Sequence, residues 1–249
     1  MTSSRSKRPP RTSFLINFER SISNLNDFLW ASLASYECAL SYRPQSAQSA
    51  KDFLSPELSA HLNVSPRDFD ILVASQEARL YRLILVEAVV FYEEYLGGII
   101  KHSIAKSWIT PETPAKISVK LTERDASSDI HKNARDKLAI HFSEKLVNSP
   151  YSKRHIEIDK ALGIRSVSLA EHKTKHDHLI LAGEFRNCIV HAGGITDERT
   201  IKNCSSIIPK LKLGEIIPLD RLLILTLLKE LLNHACDIDL FIRRKGLAK

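Results

Sequence analysis

Four polar side chains interrupt an otherwise apolar stretch in the segment Glu184-Phe185-Arg186-Asn187-Cys188-Ile189-Val190-His191-Ala192-Gly193-Gly194. A helix turns by about 100° per residue, so Glu184, Asn187 and His191 fall in one narrow sector, with Leu181, Phe185, Cys188 and Ile189 on the opposite side. His191 falls in the last turn, where the negative end of the helix dipole favours a cation. Imidazole is also the side chain that changes charge near neutral pH, which suits it to proton transfer. Arg186 stands about 140° around the helix from His191 and points partly toward apolar neighbours. A buried guanidinium needs a carboxylate or a phosphate, because an unpaired buried charge costs several kcal/mol. Glu87, set in an apolar run, is the expected partner; the alternative is that Arg186 bends into a cleft formed with a second subunit. Arg186, Asn187 and His191 are the candidate catalytic residues, and Glu184 and Glu87 are supporting carboxylates. A histidine and an asparagine at a helix end can equally be a C-cap that bonds its own last turn.

Other chemistry-bearing residues are less organised. His172, His176 and His178 lie close together, and the i, i+4 pair could hold a metal from one helix face. No third ligand presents itself, so these residues read as a solvated face with Lys173 and Lys175, and neither a metal nor a cofactor is expected. Tyr92, Tyr95 and Trp108 read as packing groups. The four cysteines, Cys38, Cys188, Cys204 and Cys236, are scattered without C-x-x-C spacing and are expected to be reduced thiols.

The stretch RNCIVHAGGITDE, residues 186–198, resembles the HEPN superfamily, especially its branch associated with ribonuclease L and phage-defence proteins. The local likeness covers about fifteen residues: Arg-Asn-x-x-x-His at a helix end, then Gly-Gly and an acidic turn. In that family an Arg-x4-6-His signature carries metal-independent RNA cleavage, usually in a homodimer that places two copies of the motif around one cleft. The resemblance therefore implies catalytic roles for Arg186 and His191, with Asn187 as their polar neighbour. It further implies an endoribonuclease of toxin or defence type, working as a homodimer and having an antitoxin or defence-system protein as a possible partner. RNA supplies its own nucleophile, the 2′-hydroxyl, so such an enzyme need only move protons and stabilise a crowded phosphorane, and a 2′,3′-cyclic phosphate results. Many family members are non-catalytic binding domains, so a helical module that binds nucleotide or protein is the second reading.

The elements that must position these residues read as helices. Residues 1–12, MTSSRSKRPPRT, with four basic side chains, have the composition of a disordered basic arm. Residues 13–249 are expected to form one helical domain. From Ser13 to about Tyr42 the apolar residues Phe14, Leu15, Phe18, Ile22, Leu25, Phe28, Leu29 and Leu33 recur at three- and four-residue steps, which predicts one long amphipathic helix. Arg43-Pro44 ends it, and a Ser/Gln/Ala-rich linker follows. Ser65-Pro66 starts a second helix that runs to Leu96, ahead of Gly97-Gly98, and is apolar on almost every side between Leu80 and Phe91. A loop with a short strand at 117–121 is expected next, then a third helix at 131–147 and a short segment ending near Gly163. A fourth main helix spans Ser168 to His191, closed by Gly193-Gly194. A small hairpin is expected within 205–219, and Asp220 caps a last helix from Arg221 to about Arg244.

Composition supports this class. With 249 residues, 43% of them hydrophobic, the chain can bury a sizeable core, and with only 8 glycines and no sustained alternation it is expected to be all-α. Lys plus Arg outnumber Asp plus Glu by 36 to 29, giving a formal charge of +7 and an isoelectric point near 9.2, which favours a polyanionic partner, RNA first among them. The same excess can serve solubility alone. No apolar run approaches the roughly 20 residues of a membrane span and no signal-peptide pattern is present, so the expected setting is cytoplasmic.

Overall fold

The computed structural model describes residues 11–41, 66–106, 130–162 and 169–247. Seven helices occur among them: α1 (Ser13–Ser41), α2 (Pro66–Ala105), α3 (Ile130–Val147), α4 (Tyr151–Leu162), α5 (Leu169–Ala192), α6 (Glu198–Cys204) and α7 (Arg221–Leu247). The fold is all-α. The expected strand at 117–121 and residues 1–10 of the arm lie outside the described residues.

α1 forms where the apolar periodicity places it. Leu15, Phe18, Ile22, Leu25, Leu29 and Leu33 are buried at steps of three and four, whereas Phe28 points to solvent. Its start is fastened on both sides. The Thr12 hydroxyl accepts from the Leu15 backbone N–H and bonds Asp239 of α7, and Arg11 pairs with Glu19 at 2.6 Å. Residues 11 and 12, read from sequence as part of the loose arm, are thus anchored.

α2 is the central helix and touches α1, α3, α5 and α7. Ile84, Leu85, Ala88, Val89, Tyr92, Leu96, Ile99 and Ile100 are all buried along it, though Leu83, inside the run expected to be apolar on every side, is exposed. The expectation that α2 ends at Gly97-Gly98 is corrected: the helix continues to Ala105. Glycine here serves close approach instead of termination. A Cβ on Gly98 would come within 2.8 Å of the Phe14 ring, so this position lets α1 lie against α2, whereas one on Gly97 would meet Ser143 Oγ of α3 at an ordinary 3.6 Å.

The short segment expected before Gly163 is a full helix, α4, which begins directly after Pro150. Its Tyr151 ring lies over Gly183 of α5, where a Cβ would sit 1.9 Å from Cδ1. α5 ends as expected, with Gly193 and Gly194 at φ of +64° and +85°. α6, which the sequence reading did not anticipate, is capped by Asp197, whose carboxylate accepts from the Thr200 N–H at 2.7 Å. Asp220 caps α7 by accepting from the Leu223 N–H at 2.7 Å.

The hairpin expected within 205–219 is also corrected. Residues 214–217 pair instead with 194–196: Thr196 N donates to Glu215 O at 2.8 Å, Ile217 N to Gly194 O at 2.9 Å, and Ile195 and Ile216 form an isolated antiparallel bridge. The turn after α5 needs partners for its backbone groups, and the approach to α7 supplies them.

Candidate functional site

Two groupings of polar side chains stand out. The first is the end of α5. The sector shared by Glu184, Asn187 and His191 runs from core to solvent: Glu184 is 1% exposed, Asn187 is half-buried and His191 is exposed. Both Glu184 oxygens are buried without a well-aligned hydrogen bond, and the neighbouring cation is Arg199 of α6, with Nε 3.2 Å from Oε2. Glu184 therefore joins α5 to α6 from beneath the surface and does not reach the position of His191.

Arg186 is half-buried, and its Nη1 donates to Asn187 Oδ1 at 3.1 Å. Its described partner is this neighbour and not Glu87, which is half-buried on α2. Arg186 Nε is buried and has no partner, so part of the guanidinium retains unused donor capacity. Asn187 holds the fork from one side.

The sequence reading missed Arg82 of α2. Its Nη1 donates to the Gly193 carbonyl at 3.2 Å, and its guanidinium lies against Gly194, where a Cβ would come within 3.3 Å of it. A cation thus sits at the negative end of the α5 dipole, on the carbonyl two residues past His191. The only sequence signal was an arginine in a mostly apolar stretch, with nothing to say which turn it would face. Exposed apolar groups border this end of α5: Val190, and Ile195 with its bridge partner Ile216. Cys188 and Cys204 are buried beneath it as free thiols, and burial pushes the Cys204 thiol up to about 12.

The second grouping lies where α4, α5 and α7 meet. Asp159 Oδ2 is 3.2 Å from His176 Nε2, and Asp159 Oδ1 is 3.7 Å from His234 Nε2. His234 Nδ1 bonds the hydroxyl of Tyr92 on α2. His155, 2% exposed, stands edge-on to His234 with ring centroids 5.4 Å apart and 6.1 Å from His176, and neither of its nitrogens has a hydrogen-bond partner. Burial pushes His155 well below the ordinary histidine range, and the nearby His234, His176 and Arg154 add to that. Burial alone would raise the Asp159 carboxyl, but the hydrogen bond from His176 and the charge of His176 and His234 outweigh it and hold it low. Alongside, Arg154 pairs with Glu93 at 2.6 Å and stacks 3.8 Å over the Tyr151 ring, while the Tyr151 hydroxyl also bonds Glu93.

Of the histidines grouped from the sequence, His176 enters this cluster, His178 is half-buried on the same helix, and the side chain of His172 lies outside the described residues. Tyr92 and Tyr95 are buried packing groups as expected, with Tyr95 donating to Ala235 O at 2.7 Å; Trp108 lies outside the described residues.

No protein-family model, curated protein or solved structure matches this chain. Among the described residues, no helix is long and apolar enough to cross a membrane.

Proposed function

We propose that this protein is a metal-independent endoribonuclease whose reaction is carried by Arg186 and His191, with Asn187 orienting the arginine. The observation that supports this most is the end of α5, where an exposed His191 follows an Asn187-held Arg186 whose buried Nε has no protein partner. The resemblance of residues 186–198 to the HEPN ribonuclease motif supplies the reaction type.

In this reading the 2′-hydroxyl of RNA attacks the adjacent phosphorus and the bond from phosphorus to the 5′-oxygen breaks. One histidine takes the 2′-proton and another gives a proton to the departing 5′-oxygen, leaving a 2′,3′-cyclic phosphate and a 5′-hydroxyl. The planar guanidinium of Arg186 stabilises the charge that builds on the equatorial oxygens. A single chain offers one His191, so the working unit is a homodimer with both α5 ends at one cleft. The exposed Val190, Ile195 and Ile216 around that end are apolar surface that a second copy would cover. The net charge of +7 and the neighbouring Arg82 suit an RNA strand. A toxin or defence role, with an antitoxin or companion protein, belongs to the same proposal.

The test is incubation of a structured RNA with the purified chain and analysis of the product ends. Cyclic phosphate ends, lost on His191→Ala with helicity unchanged, support the proposal. Binding of RNA or nucleotide without cleavage by the wild type would favour the non-catalytic module instead.

A further inference from the structure

We propose that Asp159, His176 and His234 form a site for one divalent first-row transition-metal ion, of the zinc class, which fastens α4, α5 and α7 together. One donor atom from each of these residues lies within 4.8 Å of the other two. His176 Nε2 stands 3.2 Å from Asp159 Oδ2 and His234 Nε2 stands 3.7 Å from Asp159 Oδ1, one histidine at each carboxylate oxygen. Four donors placed tetrahedrally at about 2.0–2.1 Å from a zinc ion are roughly 3.3–3.5 Å apart, so a small closure of these side chains makes three corners of that figure.

The surroundings fit a metal better than a hydrogen-bonded cluster alone. His234 directs Nδ1 at the Tyr92 hydroxyl, which leaves Nε2 as the atom facing Asp159, and that Nε2 is buried without a hydrogen bond. A ligating histidine whose other nitrogen is held by a hydrogen bond to a neighbouring oxygen, here the Tyr92 hydroxyl, has its tautomer and ring orientation fixed as at metal sites. His155, with two buried and unpartnered nitrogens, packs edge-on to His234 beside these three donors but is not one of them, which leaves the fourth corner to water. Burying a polar group without a partner is costly, and a cation answers the buried His234 Nε2.

The donor chemistry selects the ion. Two imidazoles with one carboxylate suit zinc, cobalt or nickel, whereas magnesium and calcium prefer oxygen shells. The three ligands come from three different helices, so the ion acts as a clip. His176 and His191 are fifteen residues apart on α5, about 22 Å along its axis, which separates the clip from the proposed RNA site.

The test uses the full chain, stripped with chelator and then titrated with zinc chloride, with magnesium chloride as the control. The expected result is uptake of one zinc per chain, a higher melting temperature with zinc and none with magnesium. His176→Gln, at a half-buried position, and Asp159→Asn should each weaken zinc affinity by about tenfold or more, and Tyr92→Phe by a smaller factor. Substitution with cobalt(II) should give the visible bands of a tetrahedral nitrogen and oxygen site, altered in His176→Gln. Substoichiometric zinc with an unchanged melting temperature in the wild type would overturn the proposal. So would variants that bind zinc as tightly as the wild type, since the ion would then sit elsewhere.

Discussion

Gly183→Ala should destabilise the protein, although alanine is ordinarily the better helix former. In an exposed helix the exchange would gain about 1 kcal/mol. Gly183 is buried in α5, and a Cβ there would lie 1.9, 2.1 and 2.3 Å from Cδ1, Cγ and Cε1 of Tyr151, against the 3.4 Å or more of an ordinary contact. The ring must therefore retreat by more than an ångström. It is held in place: its hydroxyl bonds Glu93, and the Arg154 guanidinium, itself paired with Glu93 at 2.6 Å, stacks 3.8 Å from its centre. Overpacking of a fixed core contact costs typically 1–3 kcal/mol and at times more, so the clash outweighs the propensity gain and a net loss of about 2 kcal/mol is expected. Urea unfolding followed by circular dichroism measures it directly. Tyr151→Ala should cost stability by itself, but Gly183→Ala added to that background should become neutral or stabilising, because the obstacle is gone. A single Gly183→Ala variant as stable as the wild type or more so would refute the claim that this contact sets the packing of α4 on α5.

Asp197→Ala should lose about 1 kcal/mol, the worth of an N-cap, and urea midpoints would show it. Hydrogen bonds from Thr200 hold the Asp197 carboxyl below its ordinary value, so its stabilisation is complete above the unfolded carboxylate range and is lost as pH falls through the folded value; Asp197→Asn should remove that acid dependence. Arg186→Lys should reduce RNA cleavage by about a hundredfold or more with unchanged helicity, because an ammonium cannot reproduce the planar fork; a near-native rate would show that charge alone suffices. Mixing inactive Arg186→Ala and His191→Ala chains, refolded together, should leave activity far below the wild type, because a mixed dimer holds one His191 where the reaction draws on two; near-wild-type rescue would show that one histidine suffices, and full activity from a monomer would exclude the shared cleft.

Local signals made much of the fold legible. The three- and four-residue spacing of Leu15, Phe18, Ile22, Leu25 and Leu29, the cap at Asp220 and the Gly193-Gly194 stop are all properties of short stretches, and each appears where the sequence places it. Gly97-Gly98 misled because glycine signals both helix ends and close helix approach, and only the position of Phe14, over eighty residues earlier, decides between them. The pairing of residues 214–217 with 194–196 was hidden for the same reason: short apolar stretches announce extended backbone but not its partner. At the α5 end, helical geometry put Glu184, Asn187 and His191 on one sector, but a sector can run from core to surface along the axis, and Glu184 turns out to face Arg199 of a helix that was not foreseen. The cluster of Asp159, His176 and His234 had a single visible member. Its other ligands lie 17 residues before and 58 residues after His176, separations that carry no motif.

The most direct test of the ribonuclease proposal compares the wild type, His191→Ala and His176→Gln on one structured RNA in EDTA, at a temperature where circular dichroism shows all three folded. The account predicts cleavage to 2′,3′-cyclic phosphate ends by the wild type and by His176→Gln, whose metal clip is dispensable for the chemistry, and a loss of about a hundredfold or more in His191→Ala. Cleavage by His191→Ala at the wild-type rate would contradict it. So would wild-type activity that vanishes in EDTA with helicity unchanged and returns with magnesium or manganese.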